Sequence, residues 1–494
     1  MSSIRVRCLL VVGAIGVVAS ASAAPFDKSG IADWTKPPAA TAERAFTPPV
    51  AKRLRLANGL AVLVVENHTL PIAAMDLIVP GAGAAADPRQ RAGLAAFTAD
   101  MVDEGAGGMS ALAIADEATR LGAELQIHAD ADAVWLSTNA LTRTLDPVLD
   151  LVAKVVTQPA FTAADFERVK GDRLTTLTQR RDRPREVASV VLSQAVYGPG
   201  TAYGHPAGGT LEDVKRIALA DVQAFYRAHW NPAAMTLVIV GDVDPAAVQR
   251  KLDGALGRWR PTGGVAPALP SARPAKLATR LLLVDRPGAE QSDVRIGRVG
   301  LDRRDQRYSA FEVMRTVLGD GFTSRLNHRL REELGITYGI GAAMSWHVAP
   351  GLFSIPSAIV AAETSRGVAE IIKILDELAA VDVPAAELDK AKQNLVRALP
   401  AMFETNAQTA GVFAELALYK LPDDWYASFA DGVRKVTAGD VRQVARALVA
   451  SSTMAFAIVG DLAKIGPSLD KLGLGAPARY DLDGARLLAP PPRR

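Results

Sequence analysis

Apolar and polar positions along this chain repeat with two different periods, and the period changes in blocks. In LRLANGLAVLVVEN, starting at Leu54, two β-type runs flank Asn58-Gly59. That dipeptide between such runs predicts a hairpin, because both residues tolerate positive φ. ALAIADEATRLGA, from Ala111, follows the 3.6-residue helical period, with Ser110 placed as its N-cap. ELQIHADADAVWLSTNAL, from Glu124, returns to period two and predicts a long strand pair. Further on, SAFEVMRTVL and SRLNHRLREEL are helical in pattern, LFSIPSAIVA is strand-like, and SRGVAEIIKILDELAAV is a long amphipathic helix. Blocks of this kind predict α+β units, each a mostly antiparallel sheet with helices packed on it.

The blocks also repeat. DVQAFYRAHWNPAAMTLVIVGDV begins at Asp221 and DVRQVARALVASSTMAFAIVGDL at Asp440, an offset of 219 residues that also relates Gly241-Asp242 to Gly460-Asp461. DFERVKGDRL, from Asp165, matches ELDKAKQNLV, from Glu387, at an offset of 222. Two matches in the same order predict duplication of one domain. RPTGGVAPALPSARPAK, residues 260–276, is too rich in Pro and Gly for a helix or a central strand. The predicted organisation is therefore an extended arm at 24–50, an N-terminal domain at 51–260, a linker at 261–277, a C-terminal domain at 278–480 and a Pro-rich tail at 481–494.

Composition narrows the class. With 494 residues, 49% apolar and 22% charged, the chain is globular and too long for one ordinary core. A net charge of +3 leaves no dense basic face, so nucleic acid is not an expected partner. Arg5 and Arg7 precede the apolar run CLLVVGAIGVVAS, which ends near Ala21-Ser22-Ala23. This pattern predicts a signal peptide over residues 1–23, export to a periplasmic compartment, and no stable membrane anchor once the signal is removed. The only cysteine, Cys8, falls inside that segment, so the mature chain has no thiolate to offer a metal and no disulfide.

Six pieces then occur in a telling order: LANGLAVLVVEN, GLAAFTADMVDEG, FERVKGDRL, YGHPAGGTLEDVKRI, FYRAHWNPAAMTLVIVGDV and SRLNHRLREELGITYGI. Together they resemble the insulinase/pitrilysin-type zinc peptidases, including the processing-peptidase-like bacterial members, across roughly residues 50–470. The resemblance implies two duplicated metallopeptidase-like domains forming a clam-like chamber. Active members carry H-x-x-E-H where this chain has Ala96-Phe97-Thr98-Ala99-Asp100. Histidines at i and i+4 share one helix face and one zinc ion, and the glutamate acts as general base on the bound water. Ala96 has no donor atom, Ala99 takes no proton, and Asp100 alone holds a metal only weakly. The third ligand of active members is a glutamate on a later helix. The matching turn here is Leu174-Thr175-Thr176-Leu177, and no Glu lies between Glu167 and Glu186. The chain on its own is therefore expected to be inactive, with no catalytic residue, no metal ligand set and no cofactor.

A candidate replacement cluster is His128-Ala129-Asp130-Ala131-Asp132, whose alternate positions face one side if the strand runs through them; a polar strand face is the simpler reading. His205, in Tyr-Gly-His-Pro, is expected to be structural. The C-terminal half keeps more. Arg331 and Tyr338, in LREELGITYGI, correspond to an Arg and a Tyr that the resemblance implies contact the substrate backbone from the second domain. Guanidinium and phenol are donors suited to a carbonyl or oxyanion. GDGFTSRL, residues 319–326, is read as the glycine-rich turn before that helix and not as a phosphate loop. The expected function is a non-catalytic, substrate-binding subunit of a periplasmic heterodimeric zinc peptidase. Its partners would be a paralogue carrying the zinc site and a peptide or unfolded-protein substrate. The alternative is a stand-alone peptide-binding or chaperone-like module on the same fold.

Overall fold

The computed structural model describes residues 46–260, 276–277 and 279–487. The predicted signal peptide, nearly all of the arm, most of the linker and the last part of the tail lie outside the described residues. Two main sheets organise the chain. The first is built from β1 (Lys52–Arg55), β2 (Ala61–Glu66), β3 (Ile72–Pro80), β6 (Glu124–Ala129), β7 (Ala133–Leu141) and β8 (Thr236–Gly241). A separate two-stranded ribbon joins β4 (Gly105–Ala106) to β5 (Met109–Ser110). The second sheet is built from β9 (Leu281–Asp285), β10 (Gln291–Val299), β11 (Thr337–Ile340), β12 (Ala343–Ser345), β13 (Leu352–Val360), β14 (Ala455–Gly460), β15 (Ala478–Tyr480) and β16 (Arg486–Leu487).

The strand orders are β1-β2-β8-β3-β7-β6 and β11-β13-β10-β14-β9-β15-β16, with β12 also pairing β13. They share one plan. β8 runs parallel to β2 and antiparallel to β3, as β14 runs parallel to β9 and antiparallel to β10. β3 pairs antiparallel with β7, as β10 does with β13. The repeated Ile-Val-Gly ending therefore marks the same central strand in both halves. At the end of β8 the glycine is needed sterically: a Cβ on Gly241 would stand 2.2 Å from the Ile72 carbonyl oxygen, and its φ is +146°. The predicted hairpin forms, with Arg55 opposite Ala61. Ser110 caps its helix through the Ala113 N–H at 3.3 Å. Residues 481–487, assigned to the tail by composition, instead continue the second sheet: β16 pairs with β15, because Asp481 folds the chain back by accepting from the N–H groups of Asp483 and Ala485.

The halves are joined by an exchange of helices. Helix Pro184–Tyr197, from the N-terminal half, lies on β10 and β14 of the second sheet. Helix Asn406–Leu418, 222 residues on, lies on β3 and β8 of the first. Val187, Val191, Leu192 and Val196 pack with Leu282, Val284, Ala457 and Val459. Ala410, Phe413 and Ala414 share a core with Ala74, Ile78, Val238 and Val240. The opposite face of the first sheet, with Met75, Leu77, Leu237 and Ile239, packs against the helices of its own half. Both faces of the central strands are thus covered, which explains why they are continuous apolar runs and do not alternate. Each fully buried side chain of this size contributes roughly 1.5–3 kcal/mol.

Candidate functional site

The helix that carries the metal in active relatives by resemblance spans Leu94–Met101 here. Its N-terminus is capped by Asp87, which accepts from the N–H of Gly93 at 2.6 Å and of Ala95 at 2.7 Å. His205 secures that cap. Its Nε2 lies 3.0 Å from the Ala84 carbonyl and 3.3 Å from Asp87 Oδ2, and its Nδ1 is 2.9 Å from the Thr201 carbonyl. Burial lowers the imidazole pKa, but the Asp87 carboxylate and the two carbonyls outweigh it, so the ring is raised above its ordinary value. The Tyr-Gly-His-Pro turn thus holds the helix start.

Along the helix, Phe97 and Ala99 are fully buried and Asp100 faces a cleft of about 300 Å³. Asp100 is ion-paired with Arg173, from helix Ala163–Gln179, the helix that supplies the third ligand in active relatives by resemblance. Arg173 also donates to the Gly208 carbonyl at 3.2 Å and stands 5.7 Å from the Phe97 ring centroid. Next to it, Arg168 pairs with Glu104 and, at 3.3 Å, with Asp172. The Asp100 side chain reaches solvent within the cleft, yet surrounding protein atoms desolvate it. That effect pushes its carboxyl above the usual range, against the pull of Arg173. Thr176 lines the same cleft. A dication does not fit this donor set: Asp100, Glu104 and Asp172 are each paired with a guanidinium of the chain, and no imidazole among the described residues lines the cleft. Among the described residues no group of three or more His, Cys, Asp or Glu side chains is arranged to hold a metal.

The His128–Asp132 segment does not run through as a strand. β6 ends at Ala129, and Asp130–Asp132 form the turn to β7. Asp130 accepts from the N–H of Asp132 and Ala133 at 2.7 and 2.8 Å and from Trp135 Nε1 at 2.7 Å. Those local bonds break the alternation. Asp132, 2% exposed, accepts from the Tyr203 hydroxyl at 2.6 Å and from the Val348 N–H at 3.0 Å. It fastens one half to the other and is committed to that task.

Arg331 and Tyr338 are brought together. A glycine-rich turn follows helix Tyr308–Gly319, and the next helix widens from Arg325–Asn327 into a π-helical turn, His328–Glu333. Such turns often occur at functional positions. Asn327 fixes the region by donating to the carbonyls of Ile340, at 2.5 Å, and Gly321, at 3.2 Å. The Arg331 guanidinium then sits 5.5 Å from the Tyr338 ring centroid and 4.6 Å from that of Phe322. Tyr338 is 88% exposed and Phe322 68%. Periodicity does not single out Phe322; its signal in the sequence is a large aromatic residue inside a glycine-rich polar turn. β11, which carries Tyr338, is at the edge of its sheet.

Comparison with known proteins agrees with this geometry. Residues 61–205 match the insulinase family, peptidase family M16, and residues 216–395 match the peptidase M16 inactive domain. The chain is 24% identical over 408 residues to a "non-peptidase homolog" of Helicobacter pylori, covering 82% of this chain and 92% of that one. Its structure is similar to that of a peptidase M16 inactive domain from Pseudomonas fluorescens, with TM-score 0.77, 26% identity, and coverage of 83% of this chain and 97% of the other. A chain of complex III from Candida albicans shares the fold at TM-score 0.72 and 15% identity, with 85% and 99% covered. The two sheet-bearing α+β halves, the matched regions and the replaced ligands together make this chain an insulinase-type (M16) family member that lacks the zinc-peptidase residues.

Proposed function

We propose that this chain is a non-catalytic subunit that holds extended peptide for a zinc-bearing paralogue, in the periplasm. One observation carries the reading: Arg331 is set between two exposed aromatic rings, Phe322 and Tyr338, beside the edge strand β11. Exposed rings of this size are costly in water unless something covers them, and a guanidinium between them adds a directional donor. An extended peptide can add to a sheet edge through backbone hydrogen bonds while its side chains or carbonyls meet such a cluster. The self-neutralised cleft at Asp100 and Arg173 supports a division of labour in which another chain supplies the metal. Export rests on the apolar N-terminal run and the small residues that follow it.

The test is a native pull-down of the tagged mature chain from its own periplasm, followed by peptidase assay of whatever is recovered. Recovery of a stoichiometric paralogue with H-x-x-E-H, and loss of peptidase rate in Arg331→Ala without loss of assembly, would support the proposal. An unchanged rate in that variant would sink the role of Arg331. Recovery of the chain alone, still binding peptide, would favour a stand-alone peptide-binding module.

A further inference from the structure

The duplication gives the C-terminal half its own counterpart of the lost metal cleft. Helix Ala385–Ala398 packs on helix Tyr308–Gly319, as Ala163–Gln179 packs on Leu94–Met101. Leu395 and Ala398 stand 222 residues on from Arg173 and Thr176, and both line a cavity of about 510 Å³. That volume suits a small organic ligand or the end of a peptide.

The charges in this cavity are not all matched. Arg315 is paired with Glu312 at 2.9 Å and with Asp320 at 3.3 Å. Arg303 is different. It is 3% exposed, and its guanidinium carbon lies 4.1 Å from the Tyr308 ring centroid, 5.4 Å from that of Trp346 and 5.5 Å from that of Trp425. Its Nη2 makes one long bond, 3.4 Å, to the Tyr426 hydroxyl, and its Nη1 has no acceptor. No described carboxylate forms a salt bridge with it. The rings hold the charge, but a buried N–H left without an acceptor is costly, and an incoming acceptor would complete it. Glu415 lines the same cavity and also has no hydrogen-bond or ion-pair partner for its side chain among the described residues. It reaches solvent at the cavity surface. Desolvation by the walls pushes its carboxyl above the usual range, and nearby Arg303 opposes the shift. Leu399, Met402 and Phe429 supply apolar walls.

From this juxtaposition we infer that the cavity is a binding site for an apolar residue bearing a free carboxylate. Arg303 meets the carboxylate, Glu415 meets the adjoining amino or amide N–H, and the side chain lies against Leu399, Met402 and Phe429. A free amino acid and the last residue of a peptide share this chemistry. The site is separate from the Arg331 face, so its fate does not depend on the peptidase-subunit reading.

The experiment is isothermal titration calorimetry on the mature chain. The probes are L-phenylalanine, phenylalaninamide, a pentapeptide ending in phenylalanine, and the same pentapeptide as its C-terminal amide. The expected result is saturable binding of at least one carboxylate probe, with its amide weaker by about tenfold or more. Free phenylalanine binding at least as tightly as the peptide marks an amino-acid site; the reverse order marks a peptide end. Arg303→Met is expected to abolish binding, and its melting curve shows whether it folds. Met402→Trp fills the cavity while leaving Arg303 in the sequence and is expected to abolish binding in a folded chain. Glu415→Gln is expected to weaken L-phenylalanine severalfold. Equal binding of acid and amide, unchanged binding by Met402→Trp, or no saturable heat up to about 10 mM of every probe would overturn the inference.

Discussion

The cleft at Asp100 and the face at Arg331 lie in different halves of the chain, and they differ in how their charges are met. In the cleft, each carboxylate of the lining has a cation of the chain's own: Arg173 for Asp100, Arg168 for Glu104 and Asp172. On the face, among the described residues, Arg331 has only Glu332 at 3.4 Å and is otherwise flanked by exposed rings. A site that neutralises itself contributes to the fold. A site that leaves a cation and two rings facing solvent contributes little to the fold and is available to something else. The contrast predicts that substitutions in the first region will show up in stability, and substitutions in the second in binding.

The strongest test of the second half of that statement is Arg331→Ala. It is expected to lower peptide binding, or the rate of the assembled peptidase, by roughly 100-fold, about 2.7 kcal/mol, as removal of a single preorganised donor does elsewhere. Its melting temperature should stay within a degree of wild type; a large drop would mean that Arg331 belongs to the fold. Asp87→Ala probes the first region. It removes two N–H acceptors and the partner of His205, and should cost about 2 kcal/mol in urea titration with peptide affinity unchanged. Phe322→Ser should weaken peptide binding by about 1 kcal/mol and leave stability alone, since the ring is 68% exposed.

The pH dependence of the cap is smaller still. The folded pKa of His205 is raised, so its contribution is complete below the ordinary histidine value of about 6.5 and is lost as pH rises through the folded value. Stability should therefore fall on going from slightly acid to slightly alkaline buffer, and His205→Gln should flatten that slope. Zinc or a chelator should shift the melting temperature by less than about a degree; clear stabilisation by zinc would break the comparison, because bound metal stabilises by mass action.

Local signals made much of this readable from sequence. Asn58-Gly59 announced its hairpin and Ser110 its helix, because turns and caps are decided by neighbours within a few residues. The Ile-Val-Gly endings announced the duplication, and the residues at 96, 99 and 100 announced that the zinc-peptidase residues are replaced. What escaped was long-range. An amphipathic pattern over Pro184–Tyr197 says that one face is buried, not that the covering sheet belongs to the other half. Arg173 looks like any solvated helix charge until folding sets it against Asp100, 73 residues earlier. The run from His128 to Asp132 kept the period of a strand, but the backbone bonds taken by Asp130 turn it. Phe322 lay in a loop, where periodicity says nothing.

The exchanged helices have a mechanical consequence. A hinge between the halves would have to pull helix Pro184–Tyr197 off β10 and β14 and helix Asn406–Leu418 off β3 and β8, uncovering apolar sheet on both sides. The halves are clasped, each gripping the other, and the cost of prising them apart approaches that of unfolding. A pull on either half is therefore passed directly to the other, and the two sheets answer it as a single body.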